Sequence, residues 1–289
     1  MTFDLTRFQH DIEAGARCLG APYCPTTTAA ALERFEQSFQ QGVVQWKTTD
    51  RPGDGLYYRT ILDREPSGLE QTANLSAPLL ELHREVLAGF PGARRAGLDF
   101  HSSRGLAKIW SFTSPVPREA FLELSTVPRS LRRYRDLFSR FRLNTVGFVA
   151  SNFLEQSMNV YFRWEPECQK VNWLKDLFLA LDGTVLSDRD AELLAEAPGP
   201  TSGLGFTFDW QSDRLRRWCI YCLEVPARYL PDDDRLSAFH RSVPTLVANP
   251  SIQLGWSYGA AGPYLKMEKE YRGSLESFVR ESLGVCMAR

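Results

Sequence analysis

Residues 257–273 read SYGAAGPYLKMEKEYRG, and in the second half of this stretch apolar and charged side chains alternate one for one. Side chains of a strand alternate between its faces, so Tyr264, Lys266, Glu268 and Glu270 share one face and Leu265, Met267, Lys269 and Tyr271 the other. The GAAG before them suits a hairpin turn from the preceding run SIQLGWSY. What the charged face looks at decides the fold. It is water if the sheet is open, and a polar interior if the sheet closes with its apolar side outward.

Working back along the chain, the same unit of a helix followed by a hairpin recurs five times. After an opening helix over 4–19, a helix over 28–41 precedes VVQWKTT and GLYYRTILD, and one over 78–88 precedes AGLDFHS and GLAKIWSFT. A helical segment over 117–141 leads to NTVGFVAS and SMNVYFRW. The segment 170–196, in which Ser187 and Asp190 form an internal capping box that divides it into two helices, leads to SGLGFTFDW and RLRRWCIYCLEV. A helix over 232–247 precedes the pair quoted above, and a last helix starts at Ser274. Linkers such as RPGD, FLEQ and QSD favour antiparallel pairing. The loose period, roughly 45 to 50 residues, is that of a repeat architecture. No composition break divides 1–289, so one domain is expected.

Ten antiparallel strands with helices between hairpins make either a sandwich or a barrel with helices outside. In SMNVYFRW, Met158, Val160, Phe162 and Trp164 oppose Asn159, Tyr161 and Arg163; Phe206, Phe208 and Trp210 form the apolar side of TFDW; Trp218 and Ile220 oppose Arg217 and Tyr221; Ala107 and Ile109 oppose Lys108 and Trp110. Amphipathic helices can cover the apolar sides, and ten strands leave a wider lumen than the eight that side chains just fill. The expected fold is therefore α+β: a ten-stranded antiparallel β-barrel with a solvent-accessible lumen, ringed by α-helices. Lys266 and Glu268 then face the lumen.

The net charge of −1 gives no global pull toward nucleic acid or membrane. The N-terminal run MTFDLTRFQHDIEAGARC has no uninterrupted apolar stretch of the signal-peptide kind, and no run reaches membrane-spanning length. A soluble cytoplasmic protein, monomeric by default, is expected. Of the six cysteines only Cys219 and Cys222 are close, and their odd offset in a strand sends them to opposite faces, against a metal knuckle or redox pair. PDDDRL, residues 231–236, reads as the acidic opening of a helix rather than as a metal-binding motif. Neither a P-loop nor a dinucleotide fingerprint is present, and the histidines show no metal-ligand spacing.

On this phasing the lumen collects Lys47, Arg59, Lys108, Arg217 and Lys266 from five hairpins. Converging like charges in a partly dry cavity are costly unless a ligand compensates them, and a small organic diphosphate suits such donors. The plainer reading is that some of them pair with Asp99, Asp209, Glu155 or Glu268, or sit in water at the rim. Tyr57, Trp110, Tyr161 and Tyr221 share that face, and aromatic faces stabilise cations. A basic end beside an aromatic waist suits departure of diphosphate from an allylic carbon and shelter of the resulting cation. Glu268 could accept a proton from an acceptor, or simply pair with Lys266.

Taken together, WKTTDRPGDGLYYR (46–59), KIWSF (108–112), LSTVP (124–128), MNVYF (158–162), TFDW with RRWC (207–219) and YLKMEKEYRG (264–273) resemble the bacterial aromatic prenyltransferases of the ABBA type, the PT-barrel enzymes. The resemblance is closest to the branch associated with clorobiocin and novobiocin biosynthesis and with phenazine prenylation. It implies transfer of a prenyl group, usually dimethylallyl and sometimes geranyl, from its diphosphate to an electron-rich aromatic small molecule in secondary metabolism. Lys47, Arg59, Lys108, Asn159, Arg217 and Lys266 fall on positions like the family's diphosphate cradle; Trp110 and Tyr161 resemble lumen walls, and Glu268 an acidic contact to the acceptor. Members dependent on Mg²⁺ carry an Asp on the second strand, where LYYRTI offers Tyr57, Tyr58 and Arg59, so metal-free diphosphate binding and no cofactor are implied. A Tyr often found before the TFDW-type strand is replaced by Gly205 or Phe206, which removes one phenolic contact. Two rivals remain: a non-catalytic barrel that binds an aromatic metabolite, and a prenyltransferase acting on peptides.

Overall fold

The computed structural model describes residues 3–274 apart from 67–68, 70–71, 73–74, 91–94, 164–170, 184, 197–202, 211, 213, 223–224 and 226–228. Trp164, Cys168 and the helix expected from Ser274 onward therefore lie outside the described residues, apart from Ser274 itself. All ten expected strands are present: β1 (Val43–Thr49), β2 (Tyr57–Leu62), β3 (Arg95–His101), β4 (Gly105–Pro117), β5 (Thr145–Asn152), β6 (Ser157–Arg163), β7 (Gly203–Asp209), β8 (Leu215–Cys222), β9 (Ile252–Gly259) and β10 (Tyr264–Arg272). Each pairs antiparallel with its sequence neighbours, and β1 closes onto β10, giving one barrel. The hairpin turns gather at one end, where Gly53, Gly105 and Gly262 adopt the positive φ that these tight turns require.

The helices are α1 (Leu5–Cys18), α2 (Pro25–Arg34), α3 (Glu36–Gln41), α4 (Ala77–Gly89), α5 (Arg118–Leu122), α6 (Arg129–Arg132), α7 (Arg135–Arg140), α8 (Val171–Asp182), α9 (Asp188–Glu196) and α10 (Asp234–Ser242). Three expectations are corrected. The helix expected over 28–41 begins earlier, with Pro25 in its first turn, and breaks at Phe35, whose ring turns onto Phe100 at 5.3 Å. The segment 117–141 is not one helix: β4 runs on to Pro117, and three short helices follow. Between α5 and α6 the N–H groups of Ser125 and Thr126 donate to the Glu85 carboxylate of α4 at 2.6 and 2.7 Å, in place of helical bonds. Finally, α10 stops at Ser242, because Val243 is extended ahead of Pro244. Its start is as expected, with the Asp233 carboxylate accepting from Leu236 N–H at 2.8 Å. The two helices expected across 170–196 are found as α8 and α9.

Most of the apolar core lies between barrel and helices, and a smaller cluster of Ile61, Trp110, Phe112, Ala150 and Tyr161 lies on inward strand faces. Phe8 of α1 packs against Phe39, Trp46, Tyr58 and Tyr271, with ring centroids 4.7 to 5.8 Å apart. On the far side, Phe138 of α7 packs on Phe162 and Phe206 at 4.8 and 5.2 Å. Lys269, which shares the outward face of β10, is buried there and caps the end of α10, donating to the carbonyls of His240 and Val243 at 2.8 Å each. Cys222 belongs to this outer core while Cys219 points inward, as their offset requires. No helix among the described residues is long and apolar enough to cross a membrane.

One outer contact backs the strand that carries two site residues. His83 of α4 is 1 % exposed and shares a 2.6 Å hydrogen bond between Nδ1 and Ser111 Oγ of β4, while its Nε2 has no partner among the described residues. Burial, with the nearby Arg84 charge, lowers its pKa from 6.5 to about 4. The unfolded chain therefore binds the imidazole's proton more tightly, so the contribution is complete above pH 6.5 and is lost as pH falls toward about 4. The stability measured by urea unfolding should fall across that window by up to ~1.4 kcal/mol per pH unit more in the wild type than in His83→Gln. Equal pH slopes would remove the imidazole as the cause.

Candidate active site in the barrel lumen

Strand register brings opposite charges side by side inside the barrel. Lys47 lies across from Glu268, Arg59 across from Asp99, and Asp99 across from Lys108. Lys47 Nζ donates to Asp99 Oδ2 at 2.9 Å. The Arg59 guanidinium binds Asp99 through Nε and Nη2 and Glu268 through Nη1 at 2.8 Å and Nη2 at 3.3 Å. All four groups are buried. Burial alone would raise the Asp99 carboxyl pKa, but Arg59 and then Lys47 override it and hold the group well below the usual carboxylate range. Lys47 and Arg59 are thus paired, not free, and Glu268 is bound by Arg59 rather than by Lys266 as the plainer sequence reading had it.

Beside this cluster stand cations of a second kind. Among the described residues Lys108 and Lys266 make no ion pair. Lys266 donates to the Tyr221 hydroxyl at 2.9 Å, and Lys108 Nζ lies 5.9 Å from the centre of the Trp110 ring. Burial, reinforced by the Lys47 charge, depresses the Lys108 pKa well below its ordinary value. Arg217 donates to Glu155 Oε2 at 3.2 Å and to Thr207 Oγ1 at 3.3 Å. Asp209 does not reach these cations; it pairs with Arg216 at 2.9 Å. Together with the two sides of the charge cluster they line a cavity of about 340 Å³ that opens between the hairpin turns.

An aromatic wall, Trp110 and Tyr221 backed by Tyr161 and Phe148, adjoins these cations. Tyr161 stacks on Phe148 at 4.4 Å and lies 5.1 Å from Trp110 and 5.6 Å from Tyr221. The Arg59 guanidinium covers the Trp110 ring at 4.5 Å, which ties the charge cluster to this wall. Gly205 makes the packing possible: a Cβ there would lie 2.6 Å from the Tyr161 ring. The inward position before TFDW is therefore Gly205, and Phe206 faces the outer core.

Of the residues singled out from sequence, Lys47, Tyr57, Arg59, Lys108, Trp110, Arg217, Tyr221, Lys266 and Glu268 line the cavity. Asn159 and Tyr161 do not. They lie behind its wall, where the Asn159 amide donates to Tyr161 Oη and Thr207 Oγ1 at 3.1 Å each, so Asn159 holds the wall instead of facing the cavity. Sequence reasoning passed over Arg51, Arg104 and Tyr264 as site residues, though all three line the mouth. Arg51 sits 3.9 Å over the Tyr264 ring and donates to the carbonyls of Ala261 and Gly262 at 3.1 and 3.3 Å. Its location in the RPGD turn was the available signal, since a turn joining two inward-facing columns must border the lumen. Asp99 and Glu155 entered the sequence analysis only as counter-charges; Asp99 binds Lys47 and Arg59, and Glu155 lines the cavity beside Arg217.

The sequence matches the aromatic prenyltransferase Orf2 family over residues 3–282. It is 30 % identical over 283 residues to a 4-hydroxyphenylpyruvate 3-dimethylallyltransferase from Streptomyces niveus, covering 94 % of this chain and 86 % of that one. It is 32 % identical over 253 residues to an aromatic prenyltransferase from Aspergillus terreus, covering 84 % of this chain and 74 % of the relative. The solved structure of 6-dimethylallyltryptophan synthase from Micromonospora olivasterospora, in complex with DMASPP and Trp, superposes with a TM-score of 0.55 at 16 % identity, covering 94 % of this chain and 99 % of that one; this likeness speaks to the fold. A sequence match running almost from end to end, on a chain whose ten strands close around a cationic and aromatic lumen, has one consequence: the protein belongs to the aromatic prenyltransferase Orf2 family.

Proposed function

We propose that this prenyltransferase moves a dimethylallyl group from its diphosphate to an electron-rich aromatic ring, without a divalent metal, by electrophilic aromatic substitution. The observation that carries the reading is the adjacency of two surfaces. Lys108 and Lys266, which have no carboxylate partner among the described residues, stand 5.9 and 5.2 Å from the Trp110 and Tyr221 rings. A diphosphate held by Lys108, Lys266 and Arg217 presents its allylic carbon to that aromatic wall. As the C–O bond breaks, the electron pair leaves with the diphosphate, whose growing charge the three cations stabilise. Trp110, Tyr57 and Tyr221, backed by Tyr161, shelter the allyl cation from water. The acceptor ring forms the new bond, and its displaced proton passes to Glu268 or to a water.

Arg59 supports the metal-free reading. Its guanidinium occupies both Asp99 and Glu268, the buried carboxylates to which a divalent ion would otherwise be drawn. The Streptomyces niveus relative is named for a phenolic acceptor and the solved neighbour holds Trp. What carries over to this chain is the acceptor class, an aromatic ring rich in electrons.

Lys108→Ala and Arg217→Ala should each weaken binding of dimethylallyl S-thiolodiphosphate by about 1.5 to 3 kcal/mol, the scale of a charge-assisted hydrogen bond. Unchanged affinity by titration calorimetry in both variants would take the pair out of the donor site. Glu268→Gln should keep donor affinity while single-turnover product formation slows; wild-type rates would assign the proton to water. With dimethylallyl diphosphate, EDTA and a pool of phenols, indoles, phenazines and Tyr- or Trp-containing peptides, mass spectrometry should find a product one isoprene unit heavier. Product appearing only after Mg²⁺ is added would overturn the role given to Arg59, and a product on peptides alone would favour the peptide-modifying reading.

A further inference from the structure

We infer that Glu155 is an internal stand-in for the donor's diphosphate: its carboxylate pairs with the cavity cations while no donor is bound and leaves them when the donor arrives. The inference rests on the donor site proposed above. Two kinds of lumen carboxylate are present. Asp99 and Glu268 are buried and tied down by several bonds each, so neither can withdraw. Glu155 is held to Arg217 by a single 3.2 Å contact, and 39 % of its side chain is exposed.

The turn that carries it is held by hydrogen bonds that do not involve its carboxylate. Glu155 N–H donates to Asn152 Oδ1 at 3.1 Å, Gln156 Nε2 donates to Phe153 O at 2.7 Å, and Trp210 N–H donates to Gln156 O at 2.9 Å. The carboxylate at this tip borders the cavity beside the three cations assigned to the diphosphate. Burial works against its ionised form, but Arg217, Lys108 and Lys266, in that order, reverse the balance and lower its pKa. Those same cations would meet a diphosphate, which brings more negative charge and more acceptor oxygens than one carboxylate. Donor and Glu155 cannot both take Arg217 and the field of the two lysines at full strength, so they compete. Glu155 thereby lowers the cost of holding three cations together when no donor is bound, and it weakens the hold on the diphosphate product by the same exchange. Since product release limits turnover in many enzymes, this competition acts on the cycle as well as on affinity.

The test is to titrate dimethylallyl S-thiolodiphosphate and inorganic diphosphate into the wild type, Glu155→Gln, Arg217→Ala and the double variant. Glutamine keeps the size and a hydrogen bond to Arg217 but removes the competing charge. Glu155→Gln should bind both ligands about tenfold tighter, as expected when one charged contact no longer has to be exchanged. The unliganded variant should melt lower than wild type, so that affinity and stability move in opposite directions, which a merely structural ion pair would not produce. The gain should shrink in the Arg217→Ala background. Equal or weaker binding by Glu155→Gln, with the wild type binding normally, overturns the stand-in role alone. If the wild type fails to bind the thiolodiphosphate, or Arg217→Ala and Lys108→Ala both bind like wild type, the donor site itself is refuted and the stand-in role falls with it.

Discussion

A barrel of ten strands is too wide for its own side chains to fill, and the rest of the structure follows from that constraint. Because an apolar cluster fills only part of the interior, most apolar faces turn outward, and helices cover them. Phe8 and Phe138 do so on opposite sides, each meeting aromatic residues from adjacent strands. The polar faces then converge on one another across the lumen. There, charges cannot be left alone, because burial of an unpaired ion costs several kcal/mol.

Two solutions to that cost stand side by side in the lumen. In one, Lys47, Arg59, Asp99 and Glu268 neutralise each other across strands. Losing one partner from such a cluster leaves the others uncompensated, at about 3 to 5 kcal/mol, so this cluster is a structural element. In the other, Lys108, Lys266 and Arg217 are under-compensated. The protein stabilises that excess with one exchangeable carboxylate and with aromatic faces. In the reaction proposed above, under-compensated cations beside aromatic rings favour an incoming anion over water and place its reacting carbon where a carbocation is tolerated.

The strands were legible because each carries a period-2 pattern with one apolar side. Met158, Val160 and Phe162 against Asn159 and Tyr161 is enough to set which way β6 faces, and β10 reads as clearly even with Lys269 on its outward side. The helices read less well. The segment 117–141 has helical composition throughout, yet a distant carboxylate, Glu85, takes the N–H groups that would have continued it. Inward orientation was also not enough to make a residue part of the cavity wall. Asn159 faces in, but its depth behind Tyr161 depends on where that ring comes to rest, and this in turn depends on the bare backbone at Gly205.

The amino-acid sequence by itself determined the alternation, the number of strands, the inward columns and the chemistry gathered on them, because these follow from local periodicity and residue type. Only the tertiary structure decided the pairing of those charges. Register sets both Arg59 and Lys108 across from Asp99, and the packing of side chains from several hairpins then gives Asp99 to Arg59 and Lys47 and Glu268 to Arg59, which leaves Lys108 without a carboxylate among the described residues. A one-residue shift would redistribute every partner, and no local pattern along the chain records the register at which the barrel closes.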